Sequence, residues 1–127
     1  MHELLLAQVP EQAPDLDGAA VEAWLRNQRY LLQDDTQGVF LLCGDAAGTQ
    51  YTRVRLLTEP DEPLPPVVIV KILPREVHIA QRADVPSLIQ AKELAEWLVG
   101  SMGCRITTPE GDDMTDRLDE EYADLAS

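Results

Sequence analysis

The stretch Val67-Val68-Ile69-Val70-Lys71-Ile72-Leu73 is the most apolar run in the chain and is rich in β-branched residues. A short run of that kind suits a central strand covered on both faces rather than a strand with one wet side. Reading outward from it sets the rest of the fold. On the C-terminal side Pro74 interrupts the run, and Glu76, His78 and Ala80 then alternate with Val77 and Ile79. That pattern predicts an edge strand after a bend. Ser87 to Met102 follows with Leu88, Ala91, Ala95, Leu98 and Met102 at spacings of three and four, the signature of an amphipathic helix. Pro86 sits in its first turn and Gly103 at the position of a helix-ending glycine. Cys104 to Thr107 reads as a short strand.

On the N-terminal side, Glu59 to Pro66 holds four prolines and three acids and is a loop. Before it, Gln50 to Thr58 alternates in part, with Arg53 and Arg55 on one side and Val54 and Leu56 on the other, and is read as a strand. Gly44 to Gly48 and Asp34 to Gly38 are turn clusters bracketing a strand at Val39 to Cys43, and the chain is extended at Tyr30 to Leu32. Asp17 is placed to cap a helix over roughly 18–28, with Leu16 and Val21 as its hydrophobic staple and Ala20, Val21, Trp24 and Leu25 as its apolar face. Gln8 to Leu16, with Pro10 and Pro14, reads as an irregular lead-in.

These elements predict a single two-layer α+β domain. Its sheet is antiparallel, with 4–6 strands, two main helices on one face and an acidic amphipathic helix at the C-terminus. The alternative is a mixed sheet in which 104–107 pairs in parallel with 67–73 through a right-handed crossover. Three segments are expected: 1–17, an acidic irregular N-terminal segment; 18–109, the α+β core; and 110–127, an acidic amphipathic helix or tail.

Charge supports that division. The chain of 127 residues carries a net charge of −13. Met1 to Asp17 has four acids and no Lys or Arg, and Glu110 to Ser127 has eight acids and one Arg, whereas Gly18 to Pro109 has eleven acids and nine bases. Acidity therefore belongs to the ends rather than to the body. In the last segment Met114, Leu118, Tyr122 and Leu125 are spaced four, four and three, along one face of a helix over roughly 113–126. So short a helix is marginal alone in water, so its stripe needs a surface to lie against. Either it docks on its own domain, with Arg53, Arg55, Lys71, Arg75 and Arg82 as electrostatic counterparts, or a partner takes it. The candidate partner-binding residues are Met114, Leu118, Tyr122, Leu125, Asp116, Glu120, Glu121, Arg53 and Arg55.

Composition narrows the function classes. A pI near 4.3 disfavours nucleic acid and anionic lipid as direct partners, because both repel the chain. No stretch reaches the roughly 18 apolar residues that a membrane helix requires. The start lacks the basic region of a secretory signal. Two cysteines, Cys43 and Cys104, match no metal spacing and fit a reduced, cytoplasmic protein. No cofactor, metal or catalytic motif stands in the chain. His78 and Glu76, two apart on a strand, share a side as an oriented base would, but a solvated strand face has the same look. Trp97 lies off the main helix stripe, as an interface anchor or as the margin of the core.

The expected function is therefore a small acidic cytoplasmic protein-binding module. It would be an adaptor, a dedicated chaperone or an inhibitor, engaging a basic or partly unfolded protein. The alternatives are a nucleic-acid mimic and a small enzyme using His78 and Glu76. A homodimer through a sheet edge or the tail stripe is open. Size, low pI and an amphipathic end resemble the general properties of bacterial secretion chaperones and of toxin-neutralising proteins, with no motif of either.

Overall fold

The structure is a computed structural model and describes residues 1–59, 61–62 and 66–126. In chain order the elements are β1 (Leu4–Gln8), α1 (Gly18–Arg26), β2 (Leu31–Asp34), β3 (Val39–Leu42), α2 (Ala46–Thr58), β4 (Val68–Ile72), β5 (Glu76–Ala80), α3 (Val85–Met102), β6 (Arg105–Thr107) and α4 (Leu118–Glu121), with a closing 3-10 turn at Ala123–Ala126. Six strands form one antiparallel sheet in the order β2-β3-β4-β5-β1-β6. The fold is thus an α+β domain.

The apolar run forms β4, in the sheet interior. Val68, Val70 and Ile72 face the main core, while Ile69 packs into a second cluster on the opposite face. The main core lies under α1, α3 and the C-terminal segment. There Val21 and Leu25 of α1, and Leu88, Ala91, Leu94, Ala95 and Leu98 of α3, meet Leu5, Ala7, Phe40, Leu42, Val77, Ile79 and Ile106 of the sheet. Trp24 and Trp97 stack with ring centroids 5.5 Å apart, which joins α1 to α3 at the margin of that core. Asp17 caps α1 by accepting from the Ala20 N–H at 3.1 Å. Gly103 ends α3 in the left-handed conformation, with φ 66°.

Buried polar side chains of α3 then fasten the helix to the sheet. The Ser87 hydroxyl donates to the Leu42 carbonyl and accepts the Val68 N–H at 2.8 Å, joining β3, β4 and α3 at one atom. Gln90 accepts from the Gly44 N–H at 2.7 Å and donates to the Arg29 carbonyl at 2.8 Å. Ser87 thereby bridges buried backbone groups of two paired strands, and Gln90 satisfies partly buried ones at the sheet's margin.

Several sequence expectations are corrected. Residues 1–17 are not irregular throughout. Leu4–Gln8 is β1, inserted between β5 and β6, with Leu5 and Ala7 buried and Leu4 and Leu6 on the other face. Because β1 fills that place, β5 is an interior strand rather than an edge. It also takes the pairing of β6, which is antiparallel to β1 and makes no parallel contact with β4.

Gln50 to Thr58 is not a strand but most of α2. Asp45 caps it at the Gly48 N–H (2.7 Å), and the hydroxyls of Thr49, Thr52 and Thr58 bond back to the carbonyls of Asp45, Gly48 and Val54. Those back-bonds satisfy the β-branched threonines within a helix. Arg53 and Arg55 therefore do not share a face, since two residues are about 200° apart around a helix.

Helix α2 lies on the sheet face away from α1 and α3. Leu56 packs there with Val39, Leu41, Cys43, Val67 and Leu32. The molecule thus has three layers at its β2–β3 end and two elsewhere. Of the expected 59–66 loop, positions 60 and 63–65 lie outside the described residues.

Candidate protein-binding surface

The C-terminal segment is built in three parts. Residues 112–115 run beside β6: Met114 N–H bonds the Ile106 carbonyl at 2.7 Å, Ile106 N–H bonds the Thr115 hydroxyl at 2.9 Å, and Thr107 bridges Asp113. The single turn α4 and the 3-10 turn follow. The expected continuous helix over 113–126 is thus replaced by an extended start and a short helical end. Thr115 and Asp113 explain the difference, because both spend their side chains on extended backbone, Asp113 accepting from the Thr115 N–H at 2.9 Å.

Met114, Leu118 and Tyr122 nonetheless enter the main core, and Leu125 packs against it, half-buried. These four side chains are covered by the protein's own domain and are not a free surface. Glu121 is also buried. Its carboxylate accepts the His2 backbone N–H at 2.7 Å and lies 2.8 Å from His2 Nδ1. Beside it the Tyr122 hydroxyl donates to Gln81 Oε1, and Gln81 Nε2 donates to the His2 carbonyl at 3.0 Å. Burial pushes the Tyr122 phenol up from its ordinary value. One network of four side chains therefore ties the last helical turn to the start of β1. Sequence reasoning missed Gln81 and His2 here, since neither carries a local motif.

Asp116 and Glu120 remain exposed, together with Asp119, and α3 presents Glu93 and Glu96. Lys92 lies 3.7 Å from Glu96 and 3.4 Å from Asp119, so the tail's basic counterparts are Lys92 of α3 and Arg105 of β6 rather than the expected bases. Arg75 instead binds Asp15 at 3.0 Å and the carbonyls of Pro10 and Ala13, and Arg82 binds Glu3 at 2.9 Å. Arg55 pairs with Glu59 at 3.0 Å. Arg53 lies on the opposite sheet face from the tail, lining a cleft with Leu32, Leu56 and Leu57. Asp113 pairs with Arg105, and its carboxyl is held well below the carboxylate range by the Thr115 hydrogen bonds and that guanidinium.

From Lys92 to Asp124 the chain has ten acids and three bases. The acids outside Glu121 sit on α3, on the loop after β6 and on a segment anchored by three buried apolar side chains. The exposed acids of the segment thus stand on backbone packed against the main core.

The other candidates resolve as follows. His78 Nε2 lies 3.1 Å from Glu76 Oε1, and Glu76 also accepts from Gln8 Nε2 at 3.1 Å. The Gln8 and His78 hydrogen bonds hold the Glu76 carboxyl below its ordinary value. Both side chains are half-buried on the sheet face opposite α1 and α3, and among the described residues no Ser, Thr or Cys side chain bonds either. Cys43 and Cys104 are free thiols in different clusters, and burial raises both. Neither has the low thiol pKa that reactivity requires.

A scan against protein-family models and searches of curated proteins and of solved structures give no match.

Proposed function

We propose that the chain is a small protein-binding module, of the adaptor, chaperone or inhibitor kind, that engages a basic protein through the acidic surface of α3 and the docked C-terminal segment. The observation that supports this most directly is the anchoring of that segment by Met114, Leu118 and Tyr122. Carboxylates on a mobile tail attract any cation weakly, whereas carboxylates held at set distances discriminate by register and accelerate encounter. Asp116, Asp119 and Glu120 stand on such a support, and Glu96 of α3 lines one cleft with Asp116 and Asp119. The same fixity is what a nucleic-acid mimic needs, which makes that the second reading.

Affinity capture with mass spectrometry, using the full chain and a variant with Asp116, Asp119 and Glu120 changed to lysine, tests the proposal. A basic partner that the wild type retains and the variant loses supports it. A partner retained equally by both overturns it. If the captured protein is one that binds nucleic acid and is displaced by duplex DNA, the mimic reading takes its place.

A further inference from the structure

The two edges of the sheet are unlike. The β6 edge is closed by residues 112–115 through the Ile106 and Thr108 bonds to that segment. The β2 edge has no strand or segment on it among the described residues. The Cys43 N–H bonds the Tyr30 carbonyl, and the Gly38 N–H bonds the Asp34 carbonyl at 2.8 Å. Residues 30, 32 and 34 therefore turn their backbone groups toward β3, and the alternation of an antiparallel ladder turns those of Leu31 and Gln33 outward. An edge of outward N–H and C=O groups is a template for another strand.

We infer that the β2 edge pairs antiparallel with the β2 edge of a second copy of this chain, making one sheet across a two-fold axis. The register follows from the alternation. Leu31 of one copy stands opposite Gln33 of the other, and the reverse, so all four outward groups on each side are used. The axis then passes between the two Leu32 residues, whose side chains meet as a close pair on the face that carries α2. That face already offers an apolar lining, for Leu32 borders the cleft with Leu56 and with Leu57, which is 78% exposed.

Charge complementarity favours a second copy as the occupant. Arg29 stands in the turn that leads into β2, Asp34 is the last residue of β2, and Asp35 stands in the turn after it. Antiparallel pairing brings the basic start of each strand beside the acidic end of the other. Arg29 stacks on Tyr30 at 5.9 Å and has no carboxylate partner among the described residues, and Asp35 is exposed. In a chain of net charge −13, this short strand can meet itself without placing like charges face to face.

Sedimentation equilibrium on the full chain, from micromolar to near-millimolar concentration at moderate salt, tests the pairing. The expected result is a monomer–dimer equilibrium reaching twice the 14.1 kDa chain mass. Gln33→Pro removes an outward N–H that no bond inside the subunit uses, so it is expected to abolish the dimer while leaving the thermal midpoint of the monomer unchanged. Arg29→Asp and Asp35→Arg singly are each expected to weaken the dimer at least several-fold, and the double exchange to restore it. A monomer at every concentration, or a dimer indifferent to Gln33→Pro, overturns the inference. The first outcome leaves the edge to a strand from a different protein. Single exchanges without effect refute the register.

Discussion

Replacing Tyr122 by phenylalanine and by alanine separates the hydrogen bond that closes the C-terminal segment from the packing that anchors it. Tyr122 is 2% exposed, and its hydroxyl meets Gln81 Oε1 inside the domain. Phenylalanine keeps the ring and leaves that oxygen without its donor, while Gln81 still bonds the His2 carbonyl. An acceptor stranded in this way costs about 1–2 kcal/mol. Alanine removes the ring as well and opens a cavity against the main core, for about 3–5 kcal/mol. Unfolding entropy of about 2.1 cal/mol/K per residue makes each kcal/mol worth about 4 °C for a chain of this length. The expected shifts in Tm are then about 4–7 °C for phenylalanine and about 11–19 °C for alanine. Circular dichroism melts and urea titrations measure both, with an unchanged denaturant slope showing that the folded state keeps its extent. A Tyr122→Ala variant melting within about 3 °C of wild type refutes the docking, since no tightly packed ring of this size is lost so cheaply.

Other perturbations are expected to act as follows. Ser87→Ala removes the buried hydroxyl that bridges the Leu42 carbonyl and the Val68 N–H and is expected to cost about 1–3 kcal/mol in a urea titration. Gly44→Ala places a Cβ 2.5 Å from the Ser87 nitrogen at a residue with φ 83°, so loss of soluble folded protein, or destabilisation above about 2 kcal/mol, is expected. Glu76 has its folded-state pKa depressed by Gln8 and then His78. Its contribution is fully present above its unfolded value near 4.5 and is lost as pH falls through the folded value. Urea midpoints measured downward from neutral pH should therefore fall less steeply in Glu76→Gln than in wild type, and equal slopes would contradict the pairing.

The sequence was most legible where one local rule sufficed. The apolar run at 67–73, rich in β-branched residues, suited an interior strand and holds β4, and α3 announced itself by its stripe and its Pro and Gly ends. Helix α2 misled because Arg53-Val54-Arg55-Leu56 has period two for just four residues, a length at which strand and helix patterns overlap. The better signal was Asp45 three residues before Gly48, with Thr49, Thr52 and Thr58 behind it, each able to bond the carbonyl four residues back. Strand β1 was passed over because its partners, β5 and β6, lie some seventy and a hundred residues away in sequence, and nothing local marks such pairing. The candidate surface was half legible. Its surplus of acid and the stripe from Met114 to Leu125 could be counted, but the extended start at 112–115 depends on β6, and the burial of Glu121 depends on His2.

That last dependence links stability to surface. The carboxylates of the C-terminal segment repel one another, and a free tail would relieve the repulsion by spreading into solvent. Three apolar side chains and the Glu121–His2 contact oppose that tendency, and the backbone bonds at Ile106 fix where the segment begins. Glu121 also turns inward the one carboxylate that follows directly on Glu120, which lowers the density of exposed charge at the point of anchoring. The segment therefore closes an edge of the sheet and holds the outward acids in place by the same contacts. Loss of the anchor residues should release both together, and under the proposed role binding of a basic partner should decline in step with the fraction of docked segment rather than with charge alone.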